Sequence, residues 1–94
     1  MLEGFDKAFE NKIRLGMMAV LAVNEWVDFT ELKELLQVTD GNLASHIAYL
    51  EKVQYIEVRK SFIGRKPNTS FKASKAGKIA FEKHLKSLEN LLGK

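Results

Sequence analysis

A chain of 94 residues, 46% of them apolar, suits one small domain, expected over 1–94, and leaves little room for a second. It contains no cysteine, which excludes disulfides, thiolate metal sites and cysteine nucleophiles together. Net charge is only +3 but unevenly placed: residues 1–58 carry five cations and ten acids, residues 59–81 seven cations and no acid, and the remainder three cations and two acids.

From about Asp6 to Val23, Phe9, Ile13, Met17, Val20 and Leu21 recur at helical spacing. Leu15, Met18, Ala19 and Ala22 widen the apolar face, so this first helix is expected to be covered on more than one side. Asn24 is a plausible stop, and the connector EWVDF, Glu25 to Phe29, should turn Trp26 and Phe29 inward. Thr30 reads as the N-cap of a second helix that ends near Gln37, with Glu31 and Glu34 favoured by the helix dipole and Leu32, Leu35 and Leu36 on one stripe. Thr39 reads as the N-cap of a third helix, buried along Leu43, Ile47 and Leu50. Asn42, Ser45, His46 and Tyr49 share a different face. Two helices joined by so few residues form a helix-turn-helix.

From Tyr55 to Phe62 the composition turns β-branched and aromatic, and Thr69 to Ala73 alternates again. The Gly64–Asn68 stretch, GRKPN, between them has turn chemistry, so a hairpin with a loop of about five residues is expected. Ser74 then caps a last helix from about Lys75 to Leu91, with Phe81, Leu85, Leu88 and Leu92 at heptad-like spacing. The fold class is therefore mainly α with a small β-hairpin, in the order α-β-α-α-β-β-α.

This series resembles the compact winged-helix DNA-binding domains of the MarR-like and ArsR-like transcriptional regulators. The resemblance runs from about residue 10 to residue 88. It is carried by NKIRLGMMAVL for the first helix, FTELKELLQVTDGNLASHIAYLEK for the helix-turn-helix, and YIEVRKSFIGRKPNTSFKASKAGKIAF for the wing and the start of the last helix. Two positions depart from the family pattern. Gln54-Tyr55 replaces a glycine before the first wing strand, and Ala73-Ser74 replaces Leu-Thr before the last helix.

The resemblance implies a regulator of transcription that binds double-stranded DNA. Asn42, Ser45, His46 and Tyr49 would read the major groove. The basic wing, with Arg59, Lys60, Arg65, Lys66, Lys72 and Lys75, would meet the flanking backbone or minor groove. An acid-free block of cations suits that partner, since contacts to phosphate release condensed counterions. A homodimer is expected through the last helix, about 75–92, and the first, using Phe9, Ile13, Phe81, Leu85, Leu88 and Leu92. The alternative is a winged helix serving as a protein–protein interaction module, which the acidic first half of the chain favours.

No enzyme is expected, because there is no clustered carboxylate pair, no supported Ser/His/Asp arrangement and no phosphate-binding glycine loop. No cofactor and no metal site are expected, since His84 has neither histidine nor cysteine near it in sequence. No apolar run approaches the roughly 20 residues needed to cross a bilayer. The N-terminus lacks the pattern of a signal peptide. A cytoplasmic protein without a membrane partner is expected, and the sequence shows no polar constellation for a small-molecule effector.

Overall fold

In the computed structural model, residues 2–93 are described; Met1 and Lys94, part of the expected 1–94 domain, lie outside the described residues. A short 3-10 turn, Lys7–Phe9, precedes four helices and three strands: α1 Lys12–Val23, β1 Val27–Asp28, α2 Phe29–Leu36, α3 Asp40–Lys52, β2 Ile56–Ile63, β3 Lys66–Ala73 and α4 Lys75–Leu91. The expected order holds, with refinements in where the elements start and turn.

The first helix does not run back to Asp6. The Asn11 side chain accepts from the Ile13 and Arg14 amides and starts α1 there, while Asp6 caps the separate turn through the Ala8 amide. Thr30 is not the cap of α2. Asp28 is: its backbone is extended because β1 ends on it, and its carboxylate accepts from the Glu31 amide at 2.8 Å. Thr39 does cap α3, accepting from the Asn42 amide at 3.1 Å, and Ser74 caps α4 through the Gly77 amide at 2.9 Å. Each such cap satisfies an amide that has no partner within its helix.

The hairpin is longer and tighter than expected. β2 and β3 pair in register from Ile56↔Ala73 to Ile63↔Lys66, leaving only Gly64 and Arg65 to turn. Gly64 has φ 64, and Arg65 stays out of the left-handed region, as in hairpin turns that put glycine first. β1 adds a third strand on the far side of β3, with Val27 opposite Phe71.

The core joins α1, α2, α3, the sheet and α4 through Met17, Met18, Leu21, Leu32, Leu43, Leu50, Phe71 and Phe81, all buried. Phe9 enters it from the N-terminal turn, stacking on Tyr55 and meeting Phe81 edge-on. The buried stripe of α4 is Gly77, Phe81, His84 and Ser87. Two of these are polar because the N-terminal segment lies along the helix. The Ser87 hydroxyl donates to the Glu3 carbonyl at 2.7 Å, and the Asp6 amide donates to His84 Nδ1 at 3.0 Å.

Candidate nucleic-acid interface

The cap at Thr39 sets the phase of α3. With Leu43, Ile47 and Leu50 turned into the core, Asn42 and Ser45 stand exposed on the outer face, while His46 and Tyr49 are half-buried at its edge. The edge is held by a residue outside the set expected from sequence. Arg14 reaches from α1 with Nε donating to the Ala8 carbonyl at 2.6 Å and Nη1 3.1 Å from His46 Nδ1. Its guanidinium carbon lies 4.0 Å from the centre of the Tyr49 ring, a cation–π arrangement. Desolvation, and then the charge of Arg14, lower the His46 pKa below its ordinary 6.5. Arg14 shares a stripe with buried Met18 and Leu21. A charge at that spacing on an apolar stripe needs a partner, and this is the signal that marks it in sequence.

α3 ends in a tight cap. The Tyr55 amide donates to the Leu50 carbonyl and the Gln54 amide to that of Glu51, the paired bonds of a Schellman motif. Gln54 sits at its left-handed position with φ 65. This is the place where the resembled family commonly has glycine, and the chain turns into β2 without one. Ser74 ties the same corner, its amide donating to the Tyr55 carbonyl and its hydroxyl to that of Gln54. A Cβ at Gly77 would come within 2.1 Å of the Tyr55 carbonyl oxygen, so α4 seats directly on the backbone of the hairpin base. The Tyr55 hydroxyl bonds the Asp6 carboxylate; that bond, with burial and the nearby charge, pushes the phenol up to about 12.

The strand register separates the cations expected on the basic flank. Lys60 shares the Ile56 and Val58 face and lines a shallow hollow with Ala44, Ala48 and Glu51 of α3. Arg59 and Lys72 lie on the other face around Trp26, the Arg59 guanidinium 4.2 Å and the Lys72 ammonium 5.6 Å from its ring centre. Lys72 also comes within 3.9 Å of Glu25. Trp26 is half-buried as the platform for these cations, whereas Phe29 packs on the core. Arg65 and Lys66 are exposed at the turn, and Lys75 is exposed in the first turn of α4. Every residue from Arg59 to Pro67 is exposed, in a molecule 51 Å long and 24 × 21 Å across.

The residues expected at a subunit interface divide as well. Phe9 and Phe81 are 2% and 6% exposed inside the core of the single chain, which corrects their placement on an open seam. Ile13 is half-buried against that core and Leu88 is half-buried on α4. Leu85 and Leu92 remain exposed, at 38% and 69%. Among the described residues no group of three or more side chains could hold a metal ion, and His84 is enclosed by the Phe5 and Phe9 rings.

Residues 13–92 match the family model described as the winged helix DNA-binding domain. The chain belongs to that family. Among its relatives, an uncharacterized protein of Methanocaldococcus jannaschii is 35% identical over 79 residues, covering 84% of this chain and 86% of its own. A transcriptional regulator homologue from Pyrococcus horikoshii superposes on this winged helix with a TM-score of 0.85 and 29% identity, over 92% of this chain and 85% of the other. At the level of fold alone, NadR in complex with 4-hydroxyphenylacetate is similar at TM-score 0.76 and 17% identity, over 93% of this chain and 61% of NadR. HlyU from Vibrio cholerae is similar at 0.69 and 24%, over 94% and 87%. No helix among the described residues is long and apolar enough to cross a membrane.

Proposed function

We propose that this winged helix is a sequence-specific regulator of transcription that binds duplex DNA as a homodimer, with α3 in the major groove and the hairpin on the flanking backbone or minor groove. One observation carries the reading. The exposed face of α3, with Asn42 and Ser45, stands beside a projecting hairpin whose exposed tip holds Arg65 and Lys66 and no acid. Short polar side chains suit base edges, and exposed cations suit phosphate. Kinship with a transcriptional regulator homologue supports it. The exposed Leu85 and Leu91 of α4, with Leu92 just past its end, support a two-fold partner, which would place two α3 helices on successive half-sites.

Selection of bound fragments from a random duplex pool, followed by titration of Asn42→Ala and Ser45→Ala variants, tests the assignment. Sequence preference should change more than affinity for random duplex, and a good base contact should be worth about 1–3 kcal/mol. Uniform weakening on every sequence would remove α3 from the reading role. Light scattering should report a dimer, and polar replacement of Leu85 and Leu88 should weaken dimer and DNA binding together. A monomer at micromolar concentration would remove the dimer. The interaction-module reading is favoured by Phe62 and Ile63, 73% and 65% exposed beside the hairpin turn. It would become the better one if the protein neither shifted random duplex in a gel nor was retained on heparin.

A further inference from the structure

Arg14 and His46 are 32 residues apart and meet through one ring nitrogen, Nδ1. A guanidinium has five donors, no acceptor and a permanent charge. The imidazole must therefore be the acceptor in this contact, and its Nδ1 carries no proton. A neutral imidazole without a proton on Nδ1 carries it on Nε2. Protonating both nitrogens would set two donors and two positive charges against each other, and the lowered His46 pKa keeps the ring neutral at pH 7. Nε2 has no partner among the described residues, yet no buried side-chain nitrogen or oxygen there lacks one. The Nε2–H therefore reaches solvent from the edge of α3.

Arg14 is itself fixed independently of His46. The Ala8 carbonyl takes its Nε–H, and its guanidinium carbon lies over the Tyr49 ring. An exposed histidine exchanges tautomers and can donate or accept through its outer nitrogen. This one is held by a charged group that is anchored at two further points.

We propose that Arg14 is a positioning residue for DNA reading, fixing His46 as an outward Nε2–H donor that pairs with hydrogen-bond acceptors of the duplex. The inference rests on the reading that α3 enters the major groove. In that groove the acceptors are N7 and O6 of guanine, N7 of adenine and O4 of thymine, while the amino groups of cytosine and adenine are donors. His46 is therefore a reader of acceptors alone, and a purine N7 is the commonest acceptor open to it.

The nitrogen spectrum of isotopically labelled full-length protein without DNA tests the first half. The two histidines are told apart by the signals missing from His46→Gln. In wild type, His46 should show an unprotonated Nδ1 and a protonated Nε2, and Arg14→Gln should give a mixture of tautomers. A protonated Nδ1 in wild type, or an unchanged single tautomer in Arg14→Gln, would overturn the role of Arg14. The wild-type spectrum decides even if the variant fails to fold. The second half uses a duplex recovered by selection, with its purines replaced one at a time by 7-deaza analogues. Wild type should lose about tenfold in affinity at one position, and His46→Ala should lose nothing further there. If every analogue weakened His46→Ala as much as wild type, His46 would not read a purine N7 and the proposal would fall, while DNA binding stood. If wild type bound no duplex at all, the underlying reading would fail, and the free-protein spectrum would still report the tautomer separately.

Discussion

At its base the hairpin is tied from three directions: Tyr55 to α3 through the Leu50 carbonyl, Gln54 and Tyr55 to Ser74, and Arg59 to Trp26. At its tip the same two strands carry nothing but exposed residues, and neither Arg65 nor Lys66 belongs to an ion pair among the described residues. The base fixes where the strands leave the domain, and strand pairing alone carries that direction outward over eight residues. The contrast teaches how a rigid scaffold presents unsatisfied charge. The cations with internal partners lie toward the base of the wing, and Arg65 and Lys66 at its tip have none among the described residues, which is what the proposed contact with an outside anion requires.

If that division is right, substitutions at the base should act on stability and those at the tip on binding alone. Gly77→Ala should be the most damaging, since its new methyl meets main-chain atoms of Tyr55 that have no rotamer to change. An overpacking cost at the upper end of about 1–3 kcal/mol is expected in urea unfolding. A neutral outcome would mean that α4 is not seated on the hairpin base. Ser74→Ala removes both a helix cap and the bond to Gln54, and should cost about 1–2 kcal/mol in the same measurement. Gln54→Gly should act in the opposite direction. Relief of left-handed backbone at Gln54 is worth up to about 1 kcal/mol, so the melting temperature should rise.

The tip should give the smallest change in stability. Arg65→Ala with Lys66→Ala should alter unfolding by less than about 0.5 kcal/mol. On DNA it should weaken specific and random sequences alike. It should also flatten the slope of log affinity against log salt by about 0.9 for each phosphate no longer neutralised, up to about four phosphates in a dimer. An unchanged slope with unchanged affinity would detach the tip from the duplex and leave the contrast without its functional half.

How far the chain can be read from its sequence follows the same line between local and distant causes. Thr39 and Ser74 as caps, and Gly64 as a turn residue, act on neighbours within a few residues, and those roles are legible there. Thr30 stands in for Asp28 in a sequence reading because both residues are able to cap. The choice falls to β1, whose pairing with β3, more than 40 residues away, extends the backbone at Asp28. The first helix reads as too long because Asp6 caps as well as Asn11 does: Asn11 starts α1, and Asp6 starts the separate turn in the segment that docks on α4. Phe9 and Phe81 look like a seam for a second subunit for the same reason: the segment that covers them comes from the other end of the chain. At the candidate interface the exposed residues of α3 and the hairpin tip are legible from periodicity and turn chemistry. Arg14 is legible only as a charge on an apolar stripe in need of a partner; its partner is not, since nothing in a one-dimensional pattern says that the first helix crosses the third at His46.

The strap from Glu3 to Phe9 has a consequence for how the molecule comes into being. Its bonds to Ser87 and His84 close loops of 84 and 78 residues, nearly the whole chain. Contacts of such separation cannot form until almost everything between them has been synthesised, and the entropy of closing the loop must be met before they contribute. The strap is therefore expected among the last parts to dock. Because the Ala8 carbonyl is also one of the anchors of Arg14, the edge of α3 acquires its final support only when the two ends of the chain have met. A chain whose strap has not docked lacks the Ala8 anchor of Arg14 at the edge of α3 on which the proposed reading role relies.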